Sequence, residues 1–218
     1  MLLSGCVVDH LPEPDDAGAP RFVELKLKAP LPRVGTLRRR GATPDTIVLA
    51  LRAPAECITS SAGPLALTPE LERNLTWLDH ATEALGATLV VLPTPIEITP
   101  GARSRDLLRA YAERLPRRDE RVWVWSPRGP WEPEPAYALA ESLGLVCAFE
   151  PLHAPRPDGP IAYAQLHGLG VESRLSTPAL ERVLDATAPE RGTVYVAVDG
   201  PHAKRHATLL QQLADARA

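Results

Sequence analysis

A chain of 218 residues with 44% hydrophobic and 23% charged side chains has the composition of a folded globular protein, which excludes a disordered or fibrous one. Its 24 basic and 27 acidic side chains leave a formal net charge of −3, which argues against a general nucleic-acid coat. The 24 prolines punctuate the chain heavily, so frequent turns are expected.

Three cysteines, Cys6, Cys57 and Cys147, lie far apart with no C-x-x-C spacing. They form neither a disulfide framework nor a zinc ribbon, and they fit a reducing, cytoplasmic compartment. Leu3-Ser4-Gly5-Cys6 matches a lipobox, yet only five residues precede Cys6, too few for the apolar segment of about 7–15 residues that a signal needs. No apolar run approaches the roughly 18 residues of a membrane helix, and no membrane partner is expected.

In chain order, apolar runs of strand length stand at Leu2–Val8, Phe22–Leu27, Thr46–Leu51, Thr88–Leu92, Arg121–Trp125, Leu145–Phe149, Ile161–Leu166 and Val194–Val198. Several are nearly continuous in Val, Leu, Ile and Ala, the mark of strands covered on both faces in a parallel sheet. Helical patterns fall between the later runs. Thr68-Pro69-Glu70 opens one that stops at Gly86, and Ser104–Leu115 ends before Pro116. Glu134–Leu143 follows, then a segment from Thr177-Pro178 to about Ala186, then Ala203–Ala216. The connections 9–21, 29–45 and 150–160 are too short or proline-rich for full helices.

Eight strands and five helices, in βα alternation from residue 46 onward, predict an α/β fold, a trimmed (β/α)8 TIM-type barrel that lacks some outer helices. One domain over 1–218 is expected, since no linker or repeat interrupts the chain. An open doubly wound sheet is the weaker alternative, because no strand is followed by G-x-G-x-x-G or G-x-x-x-x-G-K.

Four segments carry a resemblance. They are Phe22-Val23-Glu24-Leu25 with Leu31-Pro32 and Thr36-Leu37; Leu51-Arg52-Ala53-Pro54 with Ile58-Thr59; Tyr163-Ala164-Gln165-Leu166-His167-Gly168; and Ala203-Lys204-Arg205-His206-Ala207 through Leu210. In order and spacing they resemble the YecE-like family, domain of unknown function 72, and Leu89–Pro93 fits that family's strand ending in Leu-Pro. The resemblance implies a TIM-type barrel and brings no established activity with it. The chain also departs from the family. Trp125-Ser126-Pro127 stands where relatives carry Phe-Arg-His, Gln165 replaces an arginine, and Ala197-Val198-Asp199 replaces Phe-Asn-Asn. Ser60 and His206 stand in place of a histidine and an asparagine, and a short Pro/Asp loop over Asp9–Arg21 replaces an aromatic-rich stretch. Loss of so many strand-end polar groups fits a degenerate enzyme.

A TIM barrel places its ligand at the carboxyl ends of its strands. The polar residues there are Glu24, Lys26, Lys28, Arg52, Ser126, Arg128, Glu150, His153, Gln165, His167 and Asp199. Of these, Glu24, Arg52, Gln165, His167 and Asp199 are expected to bind a small polar or anionic ligand. Arg52 would act as an anion fork, and Glu24 as a base or hydrogen-bond acceptor. His167 is equally readable as a satisfied buried histidine, and Glu24 with Arg52 as an ion pair filling the barrel mouth.

No cofactor is expected, and no catalytic residue is assigned. A metal-dependent phosphoesterase is the alternative, drawing ligands from Glu24, Glu150, His153, His167 and Asp199. His202 and His206 lie nearby at i,i+4 spacing and are expected to cap or face solvent. A structural protein with a closed mouth is the third reading. Cys6 is the cysteine placed for reactivity, while Arg38-Arg39-Arg40 and Arg117-Arg118 with Arg121 are expected to be solvated turns rather than a nucleic-acid face. The residues leave oligomeric state open.

Overall fold

The structure is a computed structural model that describes residues 1–11, 20–39, 46–168, 174–188 and 192–217. Eight parallel strands form one closed barrel. They are β1 (Leu2–Val8), β2 (Phe22–Lys26), β3 (Val48–Arg52), β6 (Leu89–Pro93), β7 (Val122–Ser126), β8 (Val146–Phe149), β9 (Ile161–His167) and β10 (Thr193–Asp199), neighbouring one another in chain order, with β10 beside β1. Two strands of another kind, β4 (Thr59–Ser60) and β5 (Gly63–Pro64), make a small antiparallel hairpin after β3. That hairpin and the 3-10 turn Ala55–Cys57 before it are too short to leave a periodic signal. Each barrel run expected from the sequence is a strand, with ends displaced by no more than two residues.

The helices are α1 (Val34–Arg39), α2 (Pro69–Leu85), α3 (Ala102–Glu113), α4 (Pro133–Ser142), α5 (Thr177–Thr187) and α6 (Ala203–Asp215). Helix α1 is the short piece that the 29–45 connection allows, and residues 150–160 hold no helix. The expectations for 12–19 and 40–45, Arg40 included, lie outside the described residues.

The chain divides into two compact units, one of Met1–Leu25, Pro44–Val48 and Ala148–Ala218, the other of Lys26–Thr43 and Leu49–Cys147. In the first, β1 pairs with β10 from Leu2↔Val194 to Cys6↔Val198, and β10 with β9 from Thr193↔Ile161 to Asp199↔His167. Leu3, Val194, Val196, Val198, Ala162 and Ala164 are buried, as two-sided covering of parallel strands requires. Gly5 is demanded by close approach, since a Cβ there would sit 1.8 Å from the Phe22 carbonyl oxygen. Helix α6 closes over β1, where Gln211 accepts from the Ser4 amide at 2.8 Å. Helix α5 is capped by Ser176, which accepts from the Ala179 amide, one residue earlier than the Thr-Pro start suggests. Its apolar stripe is Ala179, Leu180, Val183 and Leu184.

In the second unit, α2 begins as its sequence dictates. The Thr68 hydroxyl accepts from the Leu71 amide at 3.2 Å, Pro69 stands at N1, and Gly86 closes the helix at φ 66°. Leu71, Leu75, Leu78 and Leu85 are its buried stripe. Aromatic side chains tie the loops to the elements. The Trp77 indole donates to the Pro32 carbonyl at 2.8 Å, Tyr111 to that of Cys57 at 2.8 Å, and Trp131 to that of Ile98 at 2.7 Å. Trp125 donates to Thr94 Oγ1 at 3.0 Å and meets Trp131 edge-on at 4.9 Å.

The basic cluster at 117–121 is part of this framework, which corrects the expectation of merely solvated turns. Arg117 donates to the carbonyls of Leu143 and Gly144, at 2.8 and 2.9 Å, and so closes the carboxyl end of α4. Arg118 and Arg121 both donate to Asp79 on α2. Arg121 is nearly covered, its side chain 5% exposed, and Asp79 is 15% exposed. A guanidinium that deep needs its carboxylate.

The hydrogen bond from Arg118 is the largest influence holding the Asp79 carboxyl below its ordinary range; burial opposes it, and Arg121 lowers it further. A depressed native value means that the stabilisation is complete above about pH 4 and is lost as pH falls through that lower value. Asp79→Asn is expected to destabilise the protein by about 2–3 kcal/mol near neutral pH and to flatten the acid limb of stability. Urea unfolding of both proteins between about pH 2 and 7 measures this; equal acid limbs would assign the dependence to other carboxylates.

Candidate functional site

Within the first unit, the strand ends bring together some of the residues expected to act. Glu24 lies in β2 with no exposed surface, and its Oε2 accepts from the Tyr163 hydroxyl at 2.5 Å. Phe22 meets the Tyr163 ring edge-on at 5.9 Å, so the polar pair is walled by aromatic surface. A buried carboxylate must be hydrogen-bonded, and Tyr163 meets that need. The sequence holds no local signal for this partner, because the two residues are 139 positions apart.

His167 ends β9 and Asp199 ends β10, opposite one another in register. The His167 ring is exposed, and its Nδ1 lies 3.2 Å from Glu150 Oε2 just beyond β8. The other Glu150 oxygen is buried and has no hydrogen-bond partner among the described residues. The bland alternative for His167, a buried and satisfied histidine, is set aside by this exposure. Gln165 is half-buried in β9, and His153 is exposed, with its amide donating to the Glu150 carbonyl.

His206 corrects the expectation that it caps or faces solvent. It is 6% exposed, and its Nε2 accepts from the Leu175 amide at 3.3 Å. Burial, then the charges of His202 and Arg205, hold its imidazole below the ordinary value, as an accepting nitrogen requires. His202 sits at the start of α6 and makes no side-chain cap. Among the described residues no group of three or more His, Cys, Asp or Glu side chains is arranged to hold a metal ion.

The second unit contains a cavity of about 460 Å³. Arg52, the last residue of β3, lines it together with Lys26, Lys28 and Arg128, and Glu56 on the 3-10 turn is the acid beside them. Lys26 closes β2, while Arg128 stands two residues beyond the end of β7. Each cation is therefore set by a strand terminus or its immediate extension. Ser126, also expected at a strand end, is buried in β7 and does not line the cavity. Glu56 was not among the expected residues. Its signal is the Ala53-Pro54 stop after β3, which forces a turn and presents the next polar side chain.

All three cysteines are free and buried. The lipobox-like tetrapeptide lies inside β1, and Cys6 is 4% exposed. Burial raises the Cys6 thiol and pushes those of Cys57 and Cys147 up to about 12. The nucleophilic role considered for Cys6 is therefore not supported, since the thiolate is the reactive form. Native protein at neutral pH is expected to leave all three thiols unmodified by an aromatic disulfide reagent, and guanidinium is expected to expose them together. Rapid labelling of native Cys6, read by peptide mass, would reinstate it as a reactive residue.

No protein-family model matches the chain, and no curated protein sequence matches it. Among solved structures it resembles a DUF72 family protein from Enterococcus faecalis V583, with a TM-score of 0.72 at 11% identity over 99% of this chain and 96% of the other. A DUF72 family protein from Thermotoga maritima gives 0.68 at 15% identity, over 91% and 86% of the two chains. An AP endonuclease, family 2, from Brucella melitensis gives 0.51 at 16% identity, over 83% of each. Over nearly its whole length, this chain has the barrel fold of DUF72 family proteins.

Proposed function

We propose that the chain is a divergent, shortened member of the YecE-like family, domain of unknown function 72, forming one domain over 1–218 that binds a small anionic ligand. The observation that carries this reading is the convergence of Arg52, Lys26, Lys28 and Arg128 on one cavity of about 460 Å³. Among the described lining residues four cations outnumber one carboxylate, Glu56, and a lining of that sign concentrates anions. Arg52 supplies the planar fork that pairs with two oxygens of a carboxylate or phosphate, and the lysines act as point charges around it. The volume falls in the range of about 300–1,000 Å³ usual for small-molecule sites.

In the first unit, Gln165, His167 and Asp199 are proposed as polar ligand contacts at the ends of β9 and β10. Glu24 is assigned to holding Tyr163, because its carboxyl has no exposed surface. Three buried free thiols support a reducing, cytoplasmic setting, and among the described residues no helix is long and apolar enough to cross a membrane.

The likeness to an AP endonuclease keeps phosphoester hydrolysis as the second reading. Divalent ions with abasic or single-stranded DNA test it, and turnover abolished by Asp199→Ala or His167→Ala would place it first.

The anion reading predicts that sulfate and phosphate bind the intact protein and stabilise it against heat more than chloride at equal ionic strength. Arg52→Ala is expected to weaken phosphate binding at least about tenfold, the scale of a lost charge-assisted bidentate pair. Arg52→Lys should recover part of the loss. Isothermal titration reads both, and an unchanged affinity in Arg52→Ala removes Arg52 from the site.

A further inference from the structure

We propose that the cavity around Arg52 selects an organic phosphate monoester whose body carries hydroxyl or N–H donors, of about sugar size, over inorganic phosphate and over simple carboxylates. The proposal rests on the anion-binding reading above and adds to it the class of ligand.

Charge sets the first requirement. Lys26, Lys28, Arg52 and Arg128 line the cavity, and Glu56 is the one acid among its described lining residues. A monocarboxylate brings one charge and two oxygens, enough for one fork. A phosphate monoester, doubly charged near neutral pH with three terminal oxygens, can meet a guanidinium fork and at least one ammonium together.

Space sets the second. The cavity is far larger than a bare phosphate, and its other walls are Pro54, Ile58, Pro93 and Pro95. Ile58 is 2% exposed, so this wall is fixed by the core beneath it. Apolar surface of that kind accommodates an uncharged body through its C–H faces and offers nothing to a second anionic group.

Glu56 sets the third. An ionised carboxylate accepts hydrogen bonds and donates none, so the group placed against it must be a donor. It also opposes a second negative charge on the body, which disfavours polyphosphates and oligonucleotides relative to a monoester. The Asn74 amide donates to the Glu56 backbone carbonyl at 2.8 Å, and this bond holds the 3-10 turn against α2. The acceptor is thereby presented from a fixed backbone. The sequence positions, after β2, β3 and β7, also differ from the phosphate site frequent in TIM barrels after the seventh and eighth strands.

Isothermal titration of the full-length protein with inorganic phosphate, acetate, ribose, and three esters (glycerol 3-phosphate, ribose 5-phosphate and glucose 6-phosphate) tests the proposal. At least one ester is expected to bind about tenfold or more tightly than inorganic phosphate, with acetate and ribose too weak to measure. Glu56→Gln is expected to leave phosphate affinity within about threefold and to reduce the ester's advantage several-fold. Lys26→Ala, at an exposed position that tolerates truncation, is expected to weaken ester and phosphate alike. If phosphate binds and all three esters bind no better, the ligand class is wrong while the anion site stands. If ribose binds as well as its phosphate, the charge argument fails and the class with it. If neither phosphate nor any ester binds, the anion site itself is overturned.

Discussion

Closure of a parallel sheet is the constraint from which the other features of this protein follow. A closed barrel has no edge, so every strand must find a hydrogen-bonded neighbour on both sides and be covered on both faces. Parallel neighbours cannot be joined by a tight hairpin, and each needs a crossover. The chain meets this with helices α1 to α5 between β2 and β10, and with a helix-free connection over 150–160 between β8 and β9. The strands are held in fixed register, β1 against β2 from Gly5↔Phe22 to Val8↔Leu25 among them. Gly5, pressed against the Phe22 backbone, shows how little room that register leaves.

Arginine serves two purposes here, and position separates them. Arg117, Arg118 and Arg121 are directed at carbonyls and at Asp79, and they hold helices and loops together. Arg52 and Arg128 line a cavity with two lysines. Composition sees one kind of residue and a mildly acidic chain. The electrostatics relevant to ligand binding are local, since fields between exposed charges fade within about 10 Å in ordinary salt. An overall charge of −3 is therefore no obstacle to an anion site.

Polar groups inside the first unit follow a different rule. Glu24 with Tyr163, and His206 with the Leu175 amide, are satisfied by partners far away in sequence. Burial without such partners would cost about 1–3 kcal/mol for each neutral group and more for a charge. Both residues lie in segments that resemble the YecE-like family, and both are built into the framework. His167 differs, with an exposed ring beside Glu150.

Several features were determined by local sequence alone. The two-sided apolar runs named the barrel strands, Thr68-Pro69 and Gly86 bounded α2, and prolines marked the helix-free connection over 150–160. Each of these depends on neighbours a few residues apart, so a linear reading suffices. The strand-end rule also located Arg52, Lys26, Lys28 and Arg128. Which of those ends share a cavity, that Tyr163 answers Glu24, that Asp79 gathers two arginines, and that His206 turns inward were decided only by tertiary structure. Those outcomes depend on register and on packing between segments tens to more than a hundred residues apart. No local pattern encodes such a distance, because the burial that fixes each partner exists only once the barrel has closed.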